Sequence, residues 1–165
     1  MENIRTASFD DLKALTEVES MCFPAAEAAS EEDFRKRLEV YPNHFYLLFE
    51  DDILVSFVNG MTTDNANLED EMYSKAEMHN ENGCWQMIFG VNTIPSKRRM
   101  GYAEKLIKYA IEQAKNEKRK GVVLTCKEPL IHYYAKFGFI NEGLSKSTHG
   151  NAKWYQMRLT FWFCS

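Results

Sequence analysis

Much of the reading starts from what the chain lacks. No uninterrupted apolar run approaches the roughly 20 residues needed to span a bilayer, and the stretch MENIRTASFDDL has no apolar core of signal-peptide length. No membrane association is expected. The four cysteines, Cys22, Cys84, Cys126 and Cys164, are scattered and form no C-x-x-C pair. Neither a zinc site nor a redox pair is indicated, so no metal is expected, and the reading is a cytoplasmic protein with reduced thiols. A basic excess is also missing. The formal net charge is −4, which argues against nucleic acid as a main partner, because such proteins are usually basic. There is no G-x-x-x-x-G-K-[ST] phosphate loop, no G-x-G-x-x-G dinucleotide fingerprint, no repeat and no low-complexity tract.

What is present reads as one domain over residues 1–165. Hydrophobic residues make up 45% and charged residues 27%. A chain of this length buries roughly 70% of its unfolded surface, so it needs no staples. Ser8 to Asp11 reads as a capping box before Leu12, Leu15, Val18 and Cys22 at helical spacing. FPAAEAAS breaks that helix, and a second box, Ser30 to Asp33, opens a helix through Phe34 and Leu38. HFYLLFE and ILVSFVNG flank Asp51-Asp52 as a hairpin. Residues 62–83 carry six acidic residues and one lysine, which reads as a polar helix or a mobile insertion. CWQMIFGVNTI is a nearly continuous apolar run, expected of one strand buried on both faces. Residues 101–116 form an amphipathic helix with Leu106, Ile107, Ala110, Ile111 and Ala114 on one face. Its basic end, KNEKRK, reads as a solvated terminus capped by Gly121. VVLTCK is a buried strand. Pro129 opens a short helix that Gly138 ends, and two strands follow. The sum is one mixed sheet flanked by helices.

The sharpest feature is VNTIPSKRRMGYAEKL, where three cations precede a glycine at a helix start. Gly101 lets the backbone approach a ligand closely. The first helix amides lack internal partners and favour an anion such as a phosphate. Arg98 and Arg99 add charge-assisted bonds, and Lys97 either joins them or faces solvent. Taken alone, the hexapeptide is equally satisfied by a tight turn with solvated arginines.

The pattern P-x-x-R-x-x-G-x-A, between a buried strand and an amphipathic helix, resembles the acyl-CoA motif of the GNAT superfamily of N-acetyltransferases. YYAKFGF resembles that superfamily's tyrosine-bearing segment. FPAAEAASEEDFRKRLEVYP and LTCKEPLIHYYAKFGF are most similar to segments of the arylalkylamine (serotonin-type) N-acetyltransferases. The resemblance covers nearly all of the chain. It implies an α/β (α+β) acyl-CoA N-acyltransferase fold with a mixed, mostly antiparallel sheet. It also implies acetyl-CoA as cosubstrate. The pyrophosphate would lie on the amides of Arg98, Arg99, Met100, Gly101, Tyr102 and Ala103, and the pantetheine arm on backbone near Val91 and Thr93.

The same resemblance implies direct transfer to a small, arylalkyl-type primary amine, with the Val91 N–H polarising the thioester carbonyl and Tyr134 as proton donor. The family's histidine pair falls at Met87 and Phe89, neither of which accepts a proton. The base must then lie elsewhere, act through water or be dispensable. His79, Glu77 and Glu81 are near in sequence, and His132 reads as structural. Cys126 reads as inert packing. The acids of 62–83 could steer a cationic amine, and Phe23, Phe34, Trp85 and Phe89 could line its pocket. The rival readings are a protein acetyltransferase acting on an N-terminus or lysine, and a non-catalytic acyl-CoA-binding module.

Overall fold

The computed structural model of the chain describes residues 1–161; Cys164 lies outside the described residues. The chain opens with β1 (Glu2–Thr6) and a turn capped by the Ser8–Asp11 box, then α1 (Leu12–Cys22). At the second box, Ser30 Oγ accepts the Asp33 amide at 3.1 Å while Asp33 accepts the Ser30 amide at 3.1 Å. This starts α2 (Glu31–Val40). β2 (Phe45–Glu50) and β3 (Ile53–Asn59) form the expected hairpin, with Asp51 and Asp52 both at positive φ.

The apolar run does not form one strand. After the short β4 (Thr62–Thr63) it divides at Phe89 into β5 (Trp85–Ile88) and β6 (Gly90–Thr93). β6 completes a four-stranded antiparallel sheet in the order β1-β2-β3-β6. β5 pairs in parallel with β7 (Gly121–Cys126), in a second sheet of order β4-β5-β7-β9-β8 with β8 (Ile140–Leu144) and β9 (Tyr155–Thr160). The fold is therefore mixed α/β with two sheets instead of one. Where β6 leaves β7, a wedge opens.

α3 (Tyr102–Asn116) buries Leu106, Ile107, Ala110 and Ala114 against both sheets, and α4 (Ile131–Ala135) lies beyond the end of β7. α1 and α2 cover the other face around Phe34, Phe45, Phe57 and Met87.

Residues 64–83 are neither a polar helix nor a loose insertion. They make two short 3-10 turns, pinned by buried Leu68, Met72 and Ala76. The basic end of α3 is not fully solvated either. Arg119 is 6% exposed and donates to the carbonyls of Glu81 and Gly83. Lys118, at φ +61, makes the turn after α3, and Gly121 instead begins β7. Among the described residues, no helix is long and apolar enough to cross a membrane.

Candidate active site

The glycine turn takes the strained form that an anion cradle needs. Arg99 and Gly101 both adopt left-handed backbone, at φ +65 and +84, and a Cβ built on Gly101 meets nothing within 4 Å. The first helical bond runs from the Lys105 amide to the Gly101 carbonyl at 3.1 Å. The amides of Tyr102, Ala103 and Glu104 therefore have no helical acceptor. Arg99 and Met100 are exposed beside them, and Ala103 is half-buried. Tyr102 contributes main chain only, since its ring is buried and its hydroxyl donates to Glu50. Lys97 is drawn to the same Glu50 at 2.7 Å, away from the cradle. Arg98 folds its Nε back to the Thr93 carbonyl at 3.2 Å.

The wedge supplies an open strand edge leading from that cradle. The Ile94 amide bonds the Val55 carbonyl at 2.9 Å. Alternation along an antiparallel pair then points Asn92 at β3 and turns the main chains of Val91 and Thr93 to the opposite edge. The Thr93 carbonyl accepts from Arg98 and from Cys22. The Thr93 N–H and both main-chain groups of Val91 stay on the open side. An extended amide-bearing chain fits this edge as an added strand would, ending in an anion at the α3 N-terminus.

Beside the edge lies a cavity of about 300 Å³ bordered by Val91, Phe89, Cys126 and Tyr134. Tyr134 is 7% exposed and its hydroxyl has no hydrogen bond among the described residues. Burial, with smaller effects of Cys126 and Tyr133, pushes its pKa far above the ordinary tyrosine value, so it holds its proton. Burial alone raises the Cys126 thiol to about 11, which leaves it a poor nucleophile at neutral pH. Phe23 and Phe89 line the cavity as expected. Phe34 is instead wholly in the core, and Trp85 stacks under Arg158. Tyr73 and Trp154 take their places.

None of the expected bases reaches the cavity. Met87, at one position of the family's histidine pair, is 0% exposed in the core, and His132, read as structural, is at the surface. Glu77 is exposed, while His79 and Glu81 join His44 in a separate cluster. There the Thr62 amide donates to His79 Nδ1 at 3.1 Å, so the ring proton lies on Nε2 and is given to Glu81 at 2.8 Å. His44, 0% exposed, hydrogen-bonds Gln86 through Nδ1 and faces Glu81 through Nε2. A metal would need the His79 Nε2 lone pair, which this hydrogen bonding denies it.

The acids of 62–83 are likewise elsewhere. Asp70 holds Ser147 and Thr148, Asp64 holds the Cys84 amide, and Glu69 and Glu71 are exposed. Only Tyr73 of that segment borders the cavity.

The acid that does enter comes from α1. Glu19 is 6% exposed; its Oε2 accepts the Ala29 amide at 2.9 Å, and Oε1 lies toward the buried Asn92 side-chain amide without a hydrogen bond of normal geometry. A Cβ added to Gly90 would lie 3.8 Å from that Oε1 and 3.3 Å from Asn92 Nδ2. The free oxygen is thus one residue from Val91. Burial raises the Glu19 pKa, an effect that the Ala29 bond and the charge of Arg37 only partly offset.

A roof closes over these groups. His149 Nε2 donates to the Glu27 carbonyl at 2.8 Å and stacks on Tyr73 with centroids 4.7 Å apart. Lys127 pairs with Glu27 at 2.7 Å, and Trp154 donates to the His149 carbonyl at 2.8 Å.

Comparison with known proteins agrees with this fold. Residues 12–139 match the model of the Acetyltransferase (GNAT) family. Among solved structures, the chain is similar to the loading GNATL domain of CurA from Lyngbya majuscula. That match has 17% identity, covers 97% of this chain and 98% of that one, and has a TM-score of 0.85. The GphF GNAT-like decarboxylase in complex with isobutyryl-CoA matches at 17% identity, with coverage of 96% and 98% and a TM-score of 0.82. The ribosomal-protein-S18-alanine N-acetyltransferase from Escherichia coli matches at 17% identity, with coverage of 100% and 97% and a TM-score of 0.76. No curated protein matches the chain by sequence.

Proposed function

The chain belongs to the acetyltransferase (GNAT) family and is an acetyl-CoA-dependent N-acetyltransferase, and we propose that its acceptor is a small primary amine bound in the roofed cavity. The observation that carries this reading is the buried Glu19 carboxylate in the cavity wall, whose Oε1 faces Gly90 and the Asn92 amide with no hydrogen bond of normal geometry. Acetyl-CoA supplies an activated thioester carbonyl and a thiol leaving group.

The residues divide the remaining work. The amides ahead of Lys105, with Arg98 and Arg99 near them, hold the pyrophosphate, and the open edge at Val91 and Thr93 holds the pantetheine amides. The Val91 N–H is a fixed donor for the thioester oxygen, of the kind that stabilises developing negative charge. Glu19 takes the proton of the incoming ammonium. Its raised pKa brings it closer to neutrality, which improves a general base. Tyr134 keeps its proton until a thiolate forms, donates it to the sulfur, and is reprotonated by the second proton that the nitrogen sheds as the amide forms.

Choice of acceptor follows from the roof. The Glu27–Lys127 pair and the His149–Glu27 bond tie the segment after α1 to the segment before β9. That closure suits a molecule that fits about 300 Å³ and obstructs a polypeptide laid across the site. Aromatic walls from Phe23, Phe89, Tyr73 and Trp154 favour an arylalkyl group. The reading is tested by initial rates of CoA release with arylalkylamines, aliphatic amines and peptides. Faster acetylation of small amines supports it. Acetylation confined to peptide N-termini or lysines overturns it.

A further inference from the structure

We infer that Arg37 is an anion-binding group of the acceptor cavity and that the acceptor carries a carboxylate as well as its amine, which makes it an amino acid. The inference rests on the small-amine reading and adds a second charge to it.

Arg37 is 3% exposed and yet borders the cavity. Buried guanidinium groups are ordinarily paired with an anion, because an uncompensated buried charge is expensive. Arg37 forms no ion pair among the described residues. One terminal nitrogen donates to Asn59 Oδ1 at 2.9 Å and the other to the Tyr73 carbonyl at 2.8 Å, both neutral acceptors. Nε is buried with no partner. Two of five N–H donors are therefore used, and the fork that matches a carboxylate is held in place but unfilled. The rings of Phe34 and Phe89, 5.2 and 5.0 Å from the guanidinium carbon, flank it and offset part of its desolvation.

The nearby acids do not fill the fork. Asp33, one turn earlier on α2, is turned to the Ser30 amide. Glu27 is taken by Lys127. Glu19 feels the charge of Arg37, but its bonded oxygen goes to Ala29. Position ties the two unmatched groups together. Asn59, which holds Arg37, pairs in register with Gly90, and a Cβ built on Gly90 would lie 3.8 Å from the Glu19 Oε1. A buried acid and a buried cation thus flank one rung of the sheet. These are the complements of an ammonium and a carboxylate in one small molecule.

The test compares matched acceptors with and without the carboxylate: phenylalanine against phenethylamine, and leucine against isoamylamine. For wild type, kcat/KM should favour the amino acid by about 10- to 100-fold, the range expected for a charge-assisted bond. Arg37→Met should bring that ratio toward unity, and Arg37→Lys, which keeps the charge and loses the fork, should restore part of it. Each ratio is internal to one protein, so a change in folded fraction cancels. Equal or better use of the amines by wild type, or an unchanged ratio in Arg37→Met, overturns the inference. Should none of the four be acetylated, the small-amine reading falls, and calorimetry on the CoA-loaded protein then decides the inference by itself. Phenylalanine binding that Arg37→Met abolishes upholds the anion subsite, and absence of phenylalanine binding to wild type refutes it.

Discussion

Glu19→Gln separates catalysis from stability. The amide keeps the shape and can still accept the Ala29 N–H, so the 2.9 Å contact survives. What is lost is the proton acceptor at Oε1. Loss of a positioned general base ordinarily costs about 10²- to 10⁴-fold in rate, or roughly 3–5 kcal/mol of barrier. The pH profile carries more information. Burial raises the folded-state pKa of Glu19 above its ordinary value of 4.5. In wild type, kcat/KM should therefore rise with pH through a limb above 4.5, and in Glu19→Gln that limb should vanish, leaving the ionisation of the amine. Stability should move the other way. A carboxyl whose folded pKa is raised contributes stability below its unfolded pKa, and that contribution is lost as pH rises through the folded pKa. Near neutral pH the wild type therefore carries a buried, desolvated charge that the glutamine does not. The variant should have an equal or higher Tm at pH 7, with the gain shrinking toward pH 4. Steady-state CoA release across pH, with thermal melts of both proteins, makes the comparison. A variant that keeps the wild-type rate and the same acidic limb would refute the base assignment.

Other substitutions probe the remaining parts. Tyr134→Phe should reduce kcat by about 10²- to 10⁴-fold with acetyl-CoA affinity little changed, read by steady-state kinetics and calorimetry. Gly101→Glu should abolish CoA binding by placing a charged side chain in the anion cradle; the added group meets open space but strains the left-handed backbone at φ +84, so circular dichroism must show a native fold for the loss to count. Changing exposed Glu69, Glu71 and Glu77 together to glutamine should leave kcat/KM and its salt dependence essentially as in wild type, since none of the three borders the cavity. Glu81→Gln should lower stability by roughly 1–2 kcal/mol, a loss held small by solvent around its half-exposed carboxylate. Burial opposes ionisation of Glu81, but its bonds to His44 and His79 outweigh that and hold its pKa below 4.5. Its contribution should therefore disappear as pH falls through that depressed value, visible as convergence of the two melting curves.

Local signals in the sequence map closely onto the elements they predict. Both capping boxes, the Asp51-Asp52 turn, the stripe of α3 and the Pro129–Gly138 helix are short-range patterns, and each forms where its residues place it. The anion cradle is equally local. What escapes is set by pairing across the chain. The 84–94 run is apolar on both sides of Phe89, so nothing in its pattern marks the change of sheet that opens the wedge. In 62–83 the acidic residues mask the apolar anchors Leu68, Met72 and Ala76, whose spacing of four suits a helix although the segment makes two 3-10 turns.

Glu19 and Arg37 are hidden differently. Arg37 lies in a charged stretch that resembles a solvated face, EEDFRKRLE, and Glu19 stands as a single acid in the short run ESMC at the end of its helix. A finer reading would have found them. Glu19 falls four residues after Leu15, and Arg37 falls three after Phe34 and four before Tyr41. Both are charges on the buried stripe of their helix, the positions at which a charge needs a reason.

The most direct test of the account is the affinity of bisubstrate conjugates in which CoA is joined through an acetyl bridge to the acceptor nitrogen. If the open edge at Val91 and the roofed cavity form one continuous site, the phenethylamine or phenylalanine conjugate should bind at least about 10²-fold more tightly than CoA by calorimetry, and more tightly than a conjugate carrying a peptide. A peptide conjugate that binds best, or small-amine conjugates no tighter than CoA, would contradict the account.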